Sequence, residues 1–279
     1  MPTVRTDDIE THYVKQGDGP PVVFVHGMLM STSMWKHQLD ALEDSFTTIA
    51  YDVRGHGRTG GSGRSSYSIE LFAADLAALF DALDIDRAVV CGLSMGGAIA
   101  QAFAAAHPER VAGLVLADTF PAGPLPLTGR LAMANVRFLA RLDRLVDYRT
   151  LNRWQLRVGN WLLPGVAGDA ETVQRLVEDA PHISHDEFVK IADATAGFQH
   201  EPVDLSVVTA PTLVMHGEHL PMANEETTAR LLDQLRNADP VAHVVPDSGH
   251  ASNIDNPDFF TAQLREFLTE RAYPEAVLS

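Results

Sequence analysis

Apolar residues along this chain fall into short unbroken runs separated by longer periodic stretches. The runs at 21–26 (PVVFVH), 88–91 (AVVC) and 111–117 (VAGLVLA) show no polar alternation. That pattern fits strands buried on both faces, as in a parallel sheet. Residues 46–51 read as a further strand, and 211–217 (PTLVMHG) and 241–245 resume the series late in the chain. Residues 9–14 alternate and are bounded by Gly17, Gly19 and two prolines, so they read as an edge strand or half of a hairpin. Between the runs lie helical spacings. Residues 31–43 place Met34, Trp35, Leu39 and Leu42 on one face. Residues 68–83 open on Ser68 as a plausible N-cap and carry a stripe of Leu76, Leu79, Phe80 and Leu83. Further helices are expected at 98–106, 226–235 and 257–267. Alternation of this kind predicts an α/β fold: a mostly parallel sheet with helices on both faces and right-handed crossovers.

The alternation breaks between residues 120 and 204. Pro121, Pro124 and Pro126 punctuate the exit. The stretches 127–145, 148–163, 170–179 and 185–196 then look helical, with no strand among them. This predicts a helical lid inserted at 120–204 into a core domain made of 1–119 and 205–279. Met133, Phe138, Leu139, Trp154, Trp161, Leu162, Leu163 and Phe198 are expected mostly to pack the lid onto the core, with a minority facing a pocket.

Composition narrows the function. The formal net charge of −16 makes nucleic acid an unlikely partner. Lys15, Lys36 and Lys190 are the only lysines, an acidic and arginine-dominated balance that fits either a salt-loving source or a GC-rich genome. The first residues, MPTVRTDDIE, contain no apolar segment of the signal-peptide kind, and no uninterrupted apolar run is long enough to span a bilayer. A cytoplasmic protein, monomeric or homodimeric, is expected. The single cysteine, Cys91, cannot form an internal disulfide and is expected to be buried. His182 and His185 have metal-like spacing but no evident third ligand, and no phosphate-binding glycine loop is present. Neither a metal nor a cofactor is expected.

One stretch carries chemistry. Residues 89–98 read VVCGLSMGGA, a strand end, a turn holding Ser94, and the start of a helix. A G-x-S-x-G turn in that setting lifts the serine hydroxyl clear of the sheet on a strained backbone. Side chains at Gly92 and Gly96 would meet the neighbouring strand and helix. The helix start directs free N–H groups toward developing negative charge.

With three further segments, the chain resembles the α/β-hydrolases over nearly its whole length. The segments are His26-Gly27, Asp52-x-Arg54-Gly55-His56-Gly57, and Ser248-Gly249-His250 near the C-terminus. The resemblance implies Ser94 as nucleophile and His250 as its base, and it makes His26 the structural histidine of the His-Gly loop; His26 and His56, the latter in another loop, stand behind His250 as alternative bases. It implies an oxyanion hole from the backbone N–H groups of Met28 and Met95. Asp52 and Arg54 are expected to fix the loop beside the elbow. A serine at the elbow separates this chain from the dehalogenases and epoxide hydrolases of the fold, which use aspartate there.

The resemblance fails at the acid. Relatives commonly carry G-E-x-D after the strand that matches 211–217, whereas this chain reads Gly217-Glu218-His219-Leu220. Leucine cannot orient an imidazole. Asp118, at the end of the strand at 111–117, is the first substitute, and Glu218 is the next. Asp247 is taken as a loop residue. The expected activity is hydrolysis of small to medium, rather apolar carboxylic esters. Lactonase, carbon–carbon bond hydrolase and cofactor-free perhydrolase chemistry share the constellation, and a weakened ligand-binding member is the non-catalytic alternative.

Overall fold

The computed structural model describes residues 2–201, 203–220 and 225–274. Eight strands form one sheet: β1 (Thr3–Thr6), β2 (Ile9–Gln16), β3 (Pro21–Val25), β4 (Thr47–Tyr51), β5 (Ala88–Leu93), β6 (Val111–Ala117), β7 (Thr212–Gly217) and β8 (Pro240–Val245). Their order across the sheet is β1-β2-β4-β3-β5-β6-β7-β8. Strands β1 and β2 pair antiparallel, as do β2 and β4; every other pairing is parallel. The unbroken apolar runs are the central strands, buried along their length because helices cover both faces.

The core helices are α1 (Lys36–Leu42), α2 (Ile69–Ala82), α3 (Met95–Ala106), and, after the insertion, α8 (Glu225–Gln234), α9 (Ser252–Asp255) and α10 (Pro257–Phe267). Helix α1 packs with α10 and α2 with α3. The Ser68 side chain caps α2 by accepting from Leu71 N–H at 3.0 Å. The helix expected at 31–43 begins as a 3-10 turn, Thr32–Trp35, and becomes α-helical only at Lys36. Between β6 and β7 stand four more helices: α4 (Leu127–Leu142), α5 (Tyr148–Leu162), α6 (Ala170–Asp179) and α7 (His185–Gly197).

These four helices correct one expectation. Met133 and Phe198 are buried, but Phe138, Trp154, Trp161, Leu162 and Leu163 are exposed, Trp161 by 80%. They lie on the solvent side of α4 and α5 and beyond the end of α5, so they do not pack this segment onto the sheet.

The parallel register brings the C-terminal strand ends to one edge. Leu93 pairs with Ala117, Ala117 with Met215, and Gly217 with Val245. Ser94, Asp118, Glu218 and the loop leading to His250 therefore leave the sheet on the same side, where α/β sheets bind their ligands.

Candidate active site

Ser94 joins β5 to α3 at φ 56°, ψ −115°, a backbone conformation that costs about 1–3 kcal/mol for a residue with a side chain. Tight neighbours enforce it. A Cβ on Gly92 would lie 2.2 Å from Gly96 O, and one on Gly96 would lie 2.1 Å from Val25 O. The bend also accepts and makes bonds that fix it: Ser94 N–H donates to Ala117 O at 2.9 Å, and the Thr119 hydroxyl donates to Ser94 O at 2.7 Å.

His250 Nε2 stands 3.0 Å from Ser94 Oγ. The two residues are separated by 156 positions in sequence, and the loop after β8 closes that distance. His250 is exposed as a whole residue, but the groups packed around its ring strip water from it and lower the imidazole's pKa below its ordinary 6.5. The histidine's loop is held from two directions. Its own N–H donates to Val166 O at 3.3 Å, and Gly249 N–H donates to Asp255 Oδ2 at 2.8 Å. The other oxygen of Asp255 accepts from Asp169 N–H at 2.7 Å, so one carboxylate ties the four-helix segment to the histidine's loop.

The acid departs from expectation. Asp118 is fully buried, but its carboxylate faces Gly217 N–H (2.9 Å), Ser252 N–H (2.9 Å) and the Ser252 hydroxyl (2.6 Å). Among the described residues no carboxylate bonds to the His250 ring. Asp118 therefore grips the histidine's loop two residues downstream instead of the imidazole itself. Burial pushes its carboxyl up to about 7, against the three donors that favour the charge. Glu218 is exposed, and its Oε2 accepts from Asp247 N–H at 3.0 Å. With His219 the pair forms a surface group whose donor atoms lie within 4.8 Å of one another, away from the imidazole's hydrogen bonds. Leu220 is buried, as a leucine should be.

The other histidines of the family-like loops have internal partners. His26 is fully buried; its Nε2 accepts from Val53 N–H at 3.0 Å, so Nδ1 carries the proton and donates to Gly27 O at 2.8 Å. His56 is pushed down to about 3 by burial and by His26 beside it. Both stay neutral and bond elsewhere than Ser94. Asp52 accepts from Thr32 N–H (2.7 Å), Arg58 N–H (2.8 Å) and His12 Nδ1 (3.0 Å), which anchors the far end of the loop at 27–32. Arg54 forms a buried two-pronged pair with Asp75 at 2.8 and 2.6 Å and reaches Asp8 at 2.8 Å.

The loop anchored by Asp52 borders the serine: a Cβ on Gly27 would lie 3.6 Å from Ser94 Cβ. Met28 N–H has no acceptor among the described residues, and Met95, as the first residue of α3, has none inside its helix. Leu29 takes φ 67° in the same loop. Two further expectations have local answers. Cys91 is buried, and burial pushes its thiol up, out of reactive range. His182 and His185 each pair with a separate aspartate, Asp147 at 3.0 Å and Asp143 at 3.3 Å. A cavity of about 350 Å³ between α4 and the turn at 198–200 is lined by other residues, including Arg130, Met133 and Gln199. Ser252 and Asp255, the two ends of the one-turn helix α9, and Thr119, in the loop after β6, hold the site together, but they are short polar residues with no periodic or motif signal to single them out.

A family model described as the alpha/beta hydrolase fold matches residues 20–257. The chain belongs to this family. The α/β-hydrolase is 27% identical to 3-oxoadipate enol-lactonase 2 of Acinetobacter baylyi over 261 residues, which is 92% of each chain. Among solved structures it is similar to a thermophilic esterase from Thermogutta terrifontis, with a TM-score of 0.78 and 29% identity over 96% of this chain and 97% of that one. An enol-lactonase from Burkholderia xenovorans gives a TM-score of 0.75 and 26% identity over 96% and 100%. Members of this α/β-hydrolase's family are hydrolases, esterases and lactonases, and an esterase-like fold suits small-molecule substrates. Among its described residues no helix is long and apolar enough to cross a membrane.

Proposed function

We propose that this α/β-hydrolase cleaves carboxylic esters of small to medium, apolar substrates through an acyl-enzyme on Ser94. The observation that carries the reading is the 3.0 Å contact between His250 Nε2 and Ser94 Oγ, made by a serine on a strained turn. His250 takes the hydroxyl proton as Oγ attacks the carbonyl carbon, then returns it to the departing alcohol. Water enters by the same exchange and releases the acid. The low pKa of His250 keeps the ring neutral near pH 7, as a base must be. The N–H groups of Met28 and Met95 receive the oxyanion. Asp118 is a positioning residue that acts through Ser252, so the working unit is a serine–histidine dyad. Residues 120–204 serve as its lid. The sequence of steps needs no cofactor.

A lactone is an internal ester, and the likeness to two enol-lactonases supports lactones as a second substrate class. The test is burst kinetics with a p-nitrophenyl ester beside fluorophosphonate labelling. A burst equal to the enzyme concentration, lost with labelling in Ser94→Ala, supports the reading. No burst and no label at Ser94 would leave a binding protein. Comparing a γ-lactone with its open-chain methyl ester then separates the two substrate classes.

A further inference from the structure

Helices α4 and α5 are apolar on the side that faces away from the protein. At 100° per residue, Leu127, Leu131 and Phe138 fall within about a sixth of a turn of one another on α4. Trp154, Val158 and Trp161 do the same on α5. All six are more than half exposed. The buried residues Met133 and Ala140 occupy the opposite side of α4, so the exposed stripe is additional to the one that packs. Such stripes rarely stay wet on a soluble protein without a use.

Charge indicates the use. Residues 127–163 hold seven arginines and two aspartates, with no lysine or glutamate, for a local charge of +5. The whole chain carries −16, so the remainder carries −21. The arginines sit directly before the exposed apolar residues, as in Arg130-Leu131, Arg137-Phe138, Arg153-Trp154 and Arg157-Val158. They therefore flank the stripes on one side. Arg137 pairs with Asp193 and Arg153 with Glu178, but among the described residues no carboxylate pairs with Arg130, Arg144 or Arg157. An apolar helix face with tryptophans, edged by unpaired arginines, has the composition of a helix that lies in a membrane interface.

We propose that the α4–α5 hairpin docks the protein on an anionic lipid surface. Phe138, Trp154 and Trp161 would enter the headgroup region, and Arg130, Arg144 and Arg157 would meet the lipid phosphates. Asp193 of α7 and Glu178 of α6 offset part of the hairpin's charge, and salt screens negative groups farther than about 10 Å away. A second copy of this chain fits less well, because a twofold contact would set +5 against +5. Helix α5 leads directly into residues 165–169, which touch Gly249 and bond His250. Docking would therefore act on the segment that bonds the histidine's loop. The inference stands whether or not Ser94 is a nucleophile.

The test is co-sedimentation of the full chain with vesicles of phosphatidylcholine alone or mixed with phosphatidylglycerol. Binding to the mixed vesicles only, with a blue shift of tryptophan emission, is expected. Trp35 is fully buried, so Trp154 and Trp161 report the shift. Arg130→Gln, Arg144→Gln and Arg157→Gln together should weaken partitioning about 100-fold. These side chains are exposed and unpaired, and an unchanged unfolding midpoint verifies the fold. No binding to the mixed vesicles, or binding indifferent to the triple substitution, would overturn the proposal. So would a lipid-free dimer that Phe138→Ser and Trp161→Ser dissociate, which assigns the face to a second copy.

Discussion

Asp118 sets three hydrogen-bond donors against burial, and the outcome can be read as a slope. Burial prevails: the folded acid titrates at about 7, against 3.8 for the ordinary group. Between those values the folded protein keeps a proton that the unfolded chain has released. The contribution of this group to stability is therefore fullest below pH 4 and is lost as the pH rises to about 7. At about 1.4 kcal/mol per pH unit the whole window is worth about 4 kcal/mol. Asp118→Asn keeps the shape and removes the titration. Its amide nitrogen must face one of the donors at Gly217 or Ser252, which costs about 1–3 kcal/mol. The variant should be less stable than the parent by that amount below pH 4, gain about 1.4 kcal/mol per pH unit between pH 4 and 7, and exceed it by about 1–3 kcal/mol above pH 7. Urea unfolding followed by tryptophan emission at half-unit steps from pH 5 to 8 measures the difference. A difference that does not change with pH, or that grows against the asparagine variant as pH rises, refutes the reasoning. It would mean that the three donors hold the carboxylate ionised throughout.

Other outcomes follow from the contacts around the serine and the sheet. The acid limb of kcat/KM should lie below pH 6.5, because desolvation of the ring lowers His250 and no described carboxylate lifts it back; a limb at 7 or above would reveal an acid on the ring. Gly96→Ala forces a Cβ to 2.1 Å from the Val25 carbonyl and should cost about 3 kcal/mol or more, measured as a shift of the urea midpoint; an unchanged midpoint counts against the packing described for the elbow. Arg54→Lys gives up the two-pronged contact with Asp75 in a buried site and should cost about 2–4 kcal/mol; a loss within error would mean that the pair contributes only charge.

The strands at the centre of the sheet were legible because burial on both faces leaves an unbroken apolar run, as in Val22–Val25 and Val111–Ala117. The elbow was legible because its glycines answer to backbone contacts and nothing else fits. Strand β1 was not, since Thr3–Thr6 is short and half exposed and is recognisable only through its pairing with β2. Strand β8 carries Val244 at 50% exposure because it lies at the sheet's edge, which an apolar run cannot announce. The serine–histidine pair could be named from motifs, but the partner of His250 could not. Whether Asp118 meets the ring or Ser252 depends on the path of the loop after β8, a tertiary matter of a few ångströms. The exposed faces of α4 and α5 misled for a related reason: a helix apolar on two sides has the same composition as one that is wholly buried.

The carboxylate of Asp255 has a consequence for how a substrate gets in. Its two oxygens hold Gly249 and Asp169 at once, so the chain near residue 169 and the histidine's loop cannot separate without stranding a half-buried charge. That rivet fixes the start of α6 to the loop that carries His250. Any widening at this point must therefore break both of these bonds, at a cost of about 1–3 kcal/mol for each group left unpaired.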